Sequence, residues 1–276
     1  MAWSTIVSRL LSGLVLVRVT AAYSVMLILV AAALVVLGPQ AQCRVIDQLS
    51  TNLHNLARGP VGTLIGSAFV TGDDRVYVWL PGLACLLALG ELLWRGKGVV
   101  VAFTVGHVGA TLIIAAVLAT AIVAGWLPAS IAGASDVGIS YGAAAVLGTL
   151  TAAIPTWWRL AWVCFWLVNA VLVATSAGGF DFTAVGHVVA LALGILLSTR
   201  FRLLGSHWTP LRLVLLASAV AFGYNSLIGF SVVGTPVVGL ATALIALAAR
   251  AAAHRWRSRE RSRSVAPPDR SGALAV

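Results

Sequence analysis

The sequence predicts an all-α polytopic membrane protein, with a core of six helices followed by two further transmembrane helices. Three observations carry this. The 276 residues are 60% hydrophobic and only 9% charged, mean hydropathy is +1.00, and the apolar residues fall into runs long enough to cross a bilayer. A soluble chain has about a quarter charged residues, so this one cannot cover its apolar surface in water. Disorder, a collagen-like chain and a disulfide-stapled domain are excluded by the few charges, the absence of a glycine period and the 3 cysteines. Cys43 lies in a polar segment, whereas Cys85 and Cys164 sit in apolar runs and pack as small hydrophobes.

A hydrocarbon core of about 30 Å needs about 20 mostly apolar residues per helix. Eight runs qualify: 20–38, 77–94, 99–124, 138–154, 158–175, 182–199, 211–230 and 234–250. The first follows Arg9 and Arg18, but the segment before it is too long and apolar for a signal-peptide n-region, so residues 1–38 are expected in the mature protein. Residues 1–206 read as the six-helix core and 207–252 as an additional helix pair. The basic segment 253–276 is expected to be a disordered cytoplasmic tail. The one long loop, 39–76, contains an apolar stretch, 61–70, too short to span and expected to lie on or dip into the outer interface.

Cations accumulate on the cytoplasmic side of spans. With a cytoplasmic N-terminus every cation except Arg44, Arg58 and Arg75 falls inside, which places both termini in the cytoplasm of a multi-pass cell-membrane protein. The net charge of +10 would suit nucleic acid, but seven of the arginines crowd the C-terminal end. The partner they imply is anionic lipid headgroup, not nucleic acid. A single lysine among the cations and the Ala/Val/Gly richness hint at a GC-rich bacterial genome.

Ionisable and hydroxyl groups at membrane depth are functional candidates. Glu91 lies four residues before Arg95 and reads as half of a helix-end ion pair. His107, with Thr111 on the same face, reads as a packing hydrogen bond in the third span. Ser140 opens the fourth span and His187 lies about five residues into the sixth, which runs in the same direction, so both sit roughly 5–8 Å below the outer helix ends. A serine and a histidine at one depth are what a nucleophile and its base require. Singly, such a serine often caps a helix and such a histidine often makes a packing hydrogen bond. Gly138 and Gly142 permit close backbone approach, and with Tyr141 they form the candidate oxyanion site at a helix N-terminus. Ala190 and Gly194 follow His187 at helical spacing and offer a small-residue packing face. No ligand spacing for a metal is present, and no cofactor is expected.

These residues resemble the rhomboid intramembrane serine proteases. Gly138-Ile-Ser140-Tyr141 is similar to the family's G-x-S-G motif at the start of its fourth helix, and Gly186-His187-x-x-Ala190-x-x-x-Gly194 to its sixth-helix histidine motif. Thr63-Leu-Ile-Gly-Ser-Ala-Phe69 in the loop and Gly90-Glu91 are similar to weaker family features. The resemblance covers about residues 20–200. Tyr141 stands where the family has Gly, and Val78 and Gly82 stand where its second helix carries H-x-x-x-N, whose Asn helps hold the oxyanion. Losing one such donor costs on the order of 100- to 1000-fold in rate.

The resemblance implies an intramembrane serine protease in which Ser140 attacks a peptide carbonyl of a transmembrane substrate near the outer interface and His187 is general base, then acid. No third triad residue is evident. The alternative is a proteolytically inactive rhomboid-like protein that binds transmembrane clients, and a second is a small transporter with His107 and His187 on its path.

Overall fold

The computed structural model describes residues 13–59, 61–72, 76–176, 181–201, 208–228 and 235–264. Arg9, the loop residues Asp73, Asp74 and Arg75, His207 and the end of the basic tail lie outside the described residues. All eight expected spans appear as helices. The first is α1 (Arg18–Leu37); the long loop then folds into α2 (Pro39–Leu49), α3 (Leu53–Ala57) and α4 (Val61–Gly66). After it come α5 (Val76–Val123), α6 (Ser140–Thr149), α7 (Arg159–Ser176), α8 (Phe182–Ser198), α9 (Pro210–Leu227) and α10 (Thr235–Ser264).

Helix α5 is two spans, 76–94 and 96–123, joined by a single residue. Arg95 has φ 62° and ψ 172°, a backbone conformation that costs a residue with a Cβ about 1–3 kcal/mol. The chain doubles back there: Val99 packs on Gly90, a pair that a continuous helix would hold about 13 Å apart.

Glu91 lies beside this reversal and is buried. Its carboxylate accepts from the backbone N–H of Val19 at 3.0 Å and from the N–H and hydroxyl of Thr20 at 2.9 Å each. The expected ion pair with Arg95 is therefore replaced by a cap. The first N–H groups of α1 have no intrahelical acceptors, no local side chain caps them, and the negative charge meets the positive end of the helix dipole.

Helix α6 is the centre of the bundle. It is shorter than the expected span, because protein rather than lipid surrounds it: Tyr141 to Ile154 are all buried. Small residues let its neighbours reach its backbone, as helices in lipid require in the absence of a hydrophobic drive between them. Gly106 of α5 lies on Ala145 and the Tyr141 carbonyl, Gly194 of α8 on the Ala145 carbonyl, and Gly148 itself on the Leu191 carbonyl.

The two added helices pack on this core. Phe222 of α9 covers Gly82, and Gly223 meets Leu147 and Trp166. Gly239 of α10 lies directly on the Asn169 amide, and Arg250 stacks over the Trp157 ring at 5.6 Å. Helix α10 runs past the expected membrane end at 250 to Ser264, through alanines of high helix propensity. Large apolar side chains such as Val101, Leu112, Leu213 and Leu240 stay exposed on the outer surface, where a bilayer would cover them.

Candidate active site

The long loop frames the entrance to α6. The Thr51 N–H donates to the Asp136 carbonyl at 2.8 Å, and the Ser50 hydroxyl accepts from the Asp136 N–H at 2.7 Å. The Asp136 carboxyl accepts from the Thr51 hydroxyl at 3.3 Å. Burial pushes that carboxyl up to about 6, against the opposing pull of the Thr51 and Tyr141 hydroxyls. Two residues on, Gly138 adopts φ 125° and donates its N–H to the Ser67 carbonyl at 3.1 Å. A glycine is needed here for its backbone freedom, and its N–H is already engaged by the loop.

Ser140 is half-buried at the first position of α6. With Ala144 and Leu147 it faces Leu86 of α5 and Phe222, Gly223 and Ser226 of α9, across a cleft of about 10 Å³. That is room for about one water molecule. The Ser140 hydroxyl makes no hydrogen bond among the described residues.

His187 lies on another side of α6. Its ring stands edge-on to Tyr141, centroids 5.3 Å apart and planes at 80°. Gly186 makes the space, since a Cβ there would fall 2.3 Å from the Tyr141 ring. The His187 Nε2 is buried without a hydrogen-bond partner among the described residues. Successive helical residues point about 100° apart, so the turn of α6 that aims Tyr141 at α8 aims Ser140 toward α9. Among the described residues no hydrogen bond joins Ser140 to His187. Gly142 packs on the Phe103 ring, and Ala190 and Gly194 lie on the buried face of α8, Gly194 against Ala145.

A different serine and histidine do meet. Ser67, in the loop segment after α4, and His107 of α5 are both buried, with Oγ to Nε2 at 3.0 Å. The same Nε2 lies 3.1 Å from the Leu64 carbonyl. A carbonyl only accepts, so Nε2 carries the hydrogen and Nδ1, buried without a partner, holds the lone pair. A nitrogen that already bears a proton cannot take one from Ser67. The pair is a clamp between loop and helix, the packing role expected of His107. Ser67 was not singled out from sequence; its signal was only its place in the Thr63–Phe69 stretch. Among the described residues no cluster of His, Cys, Asp and Glu could hold a metal ion.

No curated protein and no solved structure matches the chain. One family model does match, that of rhomboid-like proteins, and it extends over residues 16–203, from the start of α1 to just past α8. It leaves out α9 and α10. A serine at the entry of a buried fourth span, a histidine near the top of the sixth and a loop folded over the entrance thus occur in a chain whose family match takes in all six core spans: this multi-pass membrane protein belongs to the rhomboid-like protein family.

Proposed function

We propose that this protein is a rhomboid-like membrane scaffold that binds transmembrane helices without cleaving them. The observation that carries this reading is that Tyr141, not Ser140, meets His187. A serine hydroxyl is a weak nucleophile unless a base lies within about 2.6–3.2 Å, and the cleft at Ser140 has no volume for a peptide. Val78 and Gly82, in place of the family's histidine and asparagine, point the same way. The fold retains a structured loop over the entrance to α6, and its outer helices present large exposed apolar side chains on which a transmembrane helix can pack. Cation distribution supports a cytoplasmic location for both termini.

A fluorescent single-span peptide in nanodiscs tests this. Wild type and Ser140→Ala bind it equally and leave it intact. Cleavage products that form with wild type and are absent with Ser140→Ala would overturn the proposal.

A second reading, the serine protease with Ser140 as nucleophile and His187 as base, is favoured by one observation. The His187 Nε2 is buried without a partner, as a base awaiting a proton would be. It requires α6 to rotate by most of one residue step, and the same peptide assay separates the two.

A further inference from the structure

We propose that the cavity between α1, α4 and the 96–123 helix is a binding site for one anionic phospholipid, with an acyl chain in the cavity and the phosphate at Arg18 and Lys97. The cavity has a volume of about 270 Å³ and is lined by Val19, Tyr23, Leu64, Phe69, Val100 and Phe103, among others. Most of its polar groups are occupied, and among the described residues only the Thr104 hydroxyl and the His107 Nδ1 have no hydrogen bond. The Thr20 hydroxyl bonds to Glu91, the Tyr23 hydroxyl to the Ala68 carbonyl, and the His107 Nε2 is held by Ser67 and Leu64. An occupant therefore finds an apolar wall. On the rim, Ile65 and Val100 are exposed, so the opening faces laterally, where hydrocarbon would lie.

Size decides between an acyl chain and a helix. The lining from Val99 to His107 extends about 12 Å by helix rise, most of one leaflet's roughly 15 Å. A helix about 10 Å across does not enter between α1 and the 96–123 helix, because Tyr23 touches Phe69 and Phe103 there with ring centroids 5.3 Å apart. A single aliphatic chain fits.

Charge selects the headgroup. Val19 packs on Gly96, so Arg18, Arg95 and Lys97, all exposed, spring from one patch at the Val19–Val99 end of the cavity. The anion beside them, Glu91, is turned inward onto the α1 backbone. Three cations at the mouth of an aliphatic slot suit a headgroup of net negative charge better than a zwitterionic one.

Native mass spectrometry of the full chain in detergent, titrated with phosphatidylglycerol or phosphatidylcholine, tests the site. Wild type retains one phosphatidylglycerol. Arg18→Gln with Lys97→Gln weakens it about 25-fold while leaving phosphatidylcholine binding unchanged. Thr104→Trp, which fills the slot and keeps every cation, loses the retained lipid. The arginines from Arg250 onward attract anionic lipid in all three proteins and cancel in the comparison. Equal retention of the two lipids by wild type, or undiminished retention by either folded variant, would overturn the site. So would retention of a peptide chain in place of lipid. Circular dichroism melting verifies that each variant is folded, and if Thr104→Trp is not, Val100→Phe takes its place.

Discussion

The rings of Tyr141 and His187 meet in a T-shaped contact with centroids 5.3 Å apart, and Gly186 lies where any side chain would strike the Tyr141 ring. One residue earlier, Ser140 looks across a different cleft toward Phe222 and Ser226 of α9. The contact between α6 and α8 is thus aromatic on one side and backbone-close on the other, through Gly194 and Ala145. Such a contact holds two helices in a fixed rotation, and that rotation sets what Ser140 can reach.

Gly186→Ala tests the rotation lock. The added methyl forces Tyr141 or α8 to move, and overpacking of this kind costs about 1–3 kcal/mol. In a Tyr141→Ala background the same substitution costs markedly less, since the obstacle is gone. Thermal melts of the four proteins give the coupling; additive losses would contradict the contact.

Replacing Glu91 separates a cap from an ion pair. Glu91→Gln presents an N–H₂ to one of the α1 donors and weakens the charge-assisted bonds, a loss of about 1–3 kcal/mol. Arg95→Gln, which an ion pair would make equally damaging, stays within about 0.5 kcal/mol. Chemical denaturation in mixed micelles reads both.

The loop contact at Asp136 is pH-dependent. Its carboxyl rises from the ordinary 3.8 to about 6 in the folded protein, so the folded state holds the proton more tightly than the unfolded chain. The resulting stabilisation is fully present below about pH 4 and is lost as pH rises through about 6. Asp136→Asn keeps the contact with Thr51 and abolishes that component. The check is the melting temperature of wild type against the variant across pH 4–7, with the difference between them changing in that window.

The Ser67–His107 contact anchors the loop, and its loss is read in the loop. Ser67→Ala removes one shared bond, worth about 0.5–1.5 kcal/mol. His107→Phe leaves the Leu64 carbonyl with only the long 3.4 Å bond from the Ser67 hydroxyl and costs about 1–3 kcal/mol. Hydrogen exchange over 61–70 accelerates in both, more in the second, while α8 is unchanged.

The spans were legible because hydrocarbon imposes a composition on any helix that crosses it, and eight apolar runs became eight helices. The small-residue face of α8 was legible for a related reason, since Gly194 can serve close approach and little else. The direction of Ser140 was not. Depth follows from residue counting, but facing depends on rotation about the helix axis, and a single step decides whether position 140 or 141 meets α8. Glu91 was read against its nearest cation in sequence, whereas its partners lie across the bundle at Val19 and Thr20. Ser67 gave no signal because a serine in a loop is ordinary until the fold brings it to His107.

Fluorophosphonate labelling of the full-length protein in native membranes tests the central claim most directly, because the reagent reports only a serine activated by a base. With an active rhomboid protease as the positive control, wild type labels no more than Ser140→Ala or His187→Ala. Labelling of wild type that vanishes in both variants would mean that Ser140 and His187 work as a pair, and the scaffold account would fail.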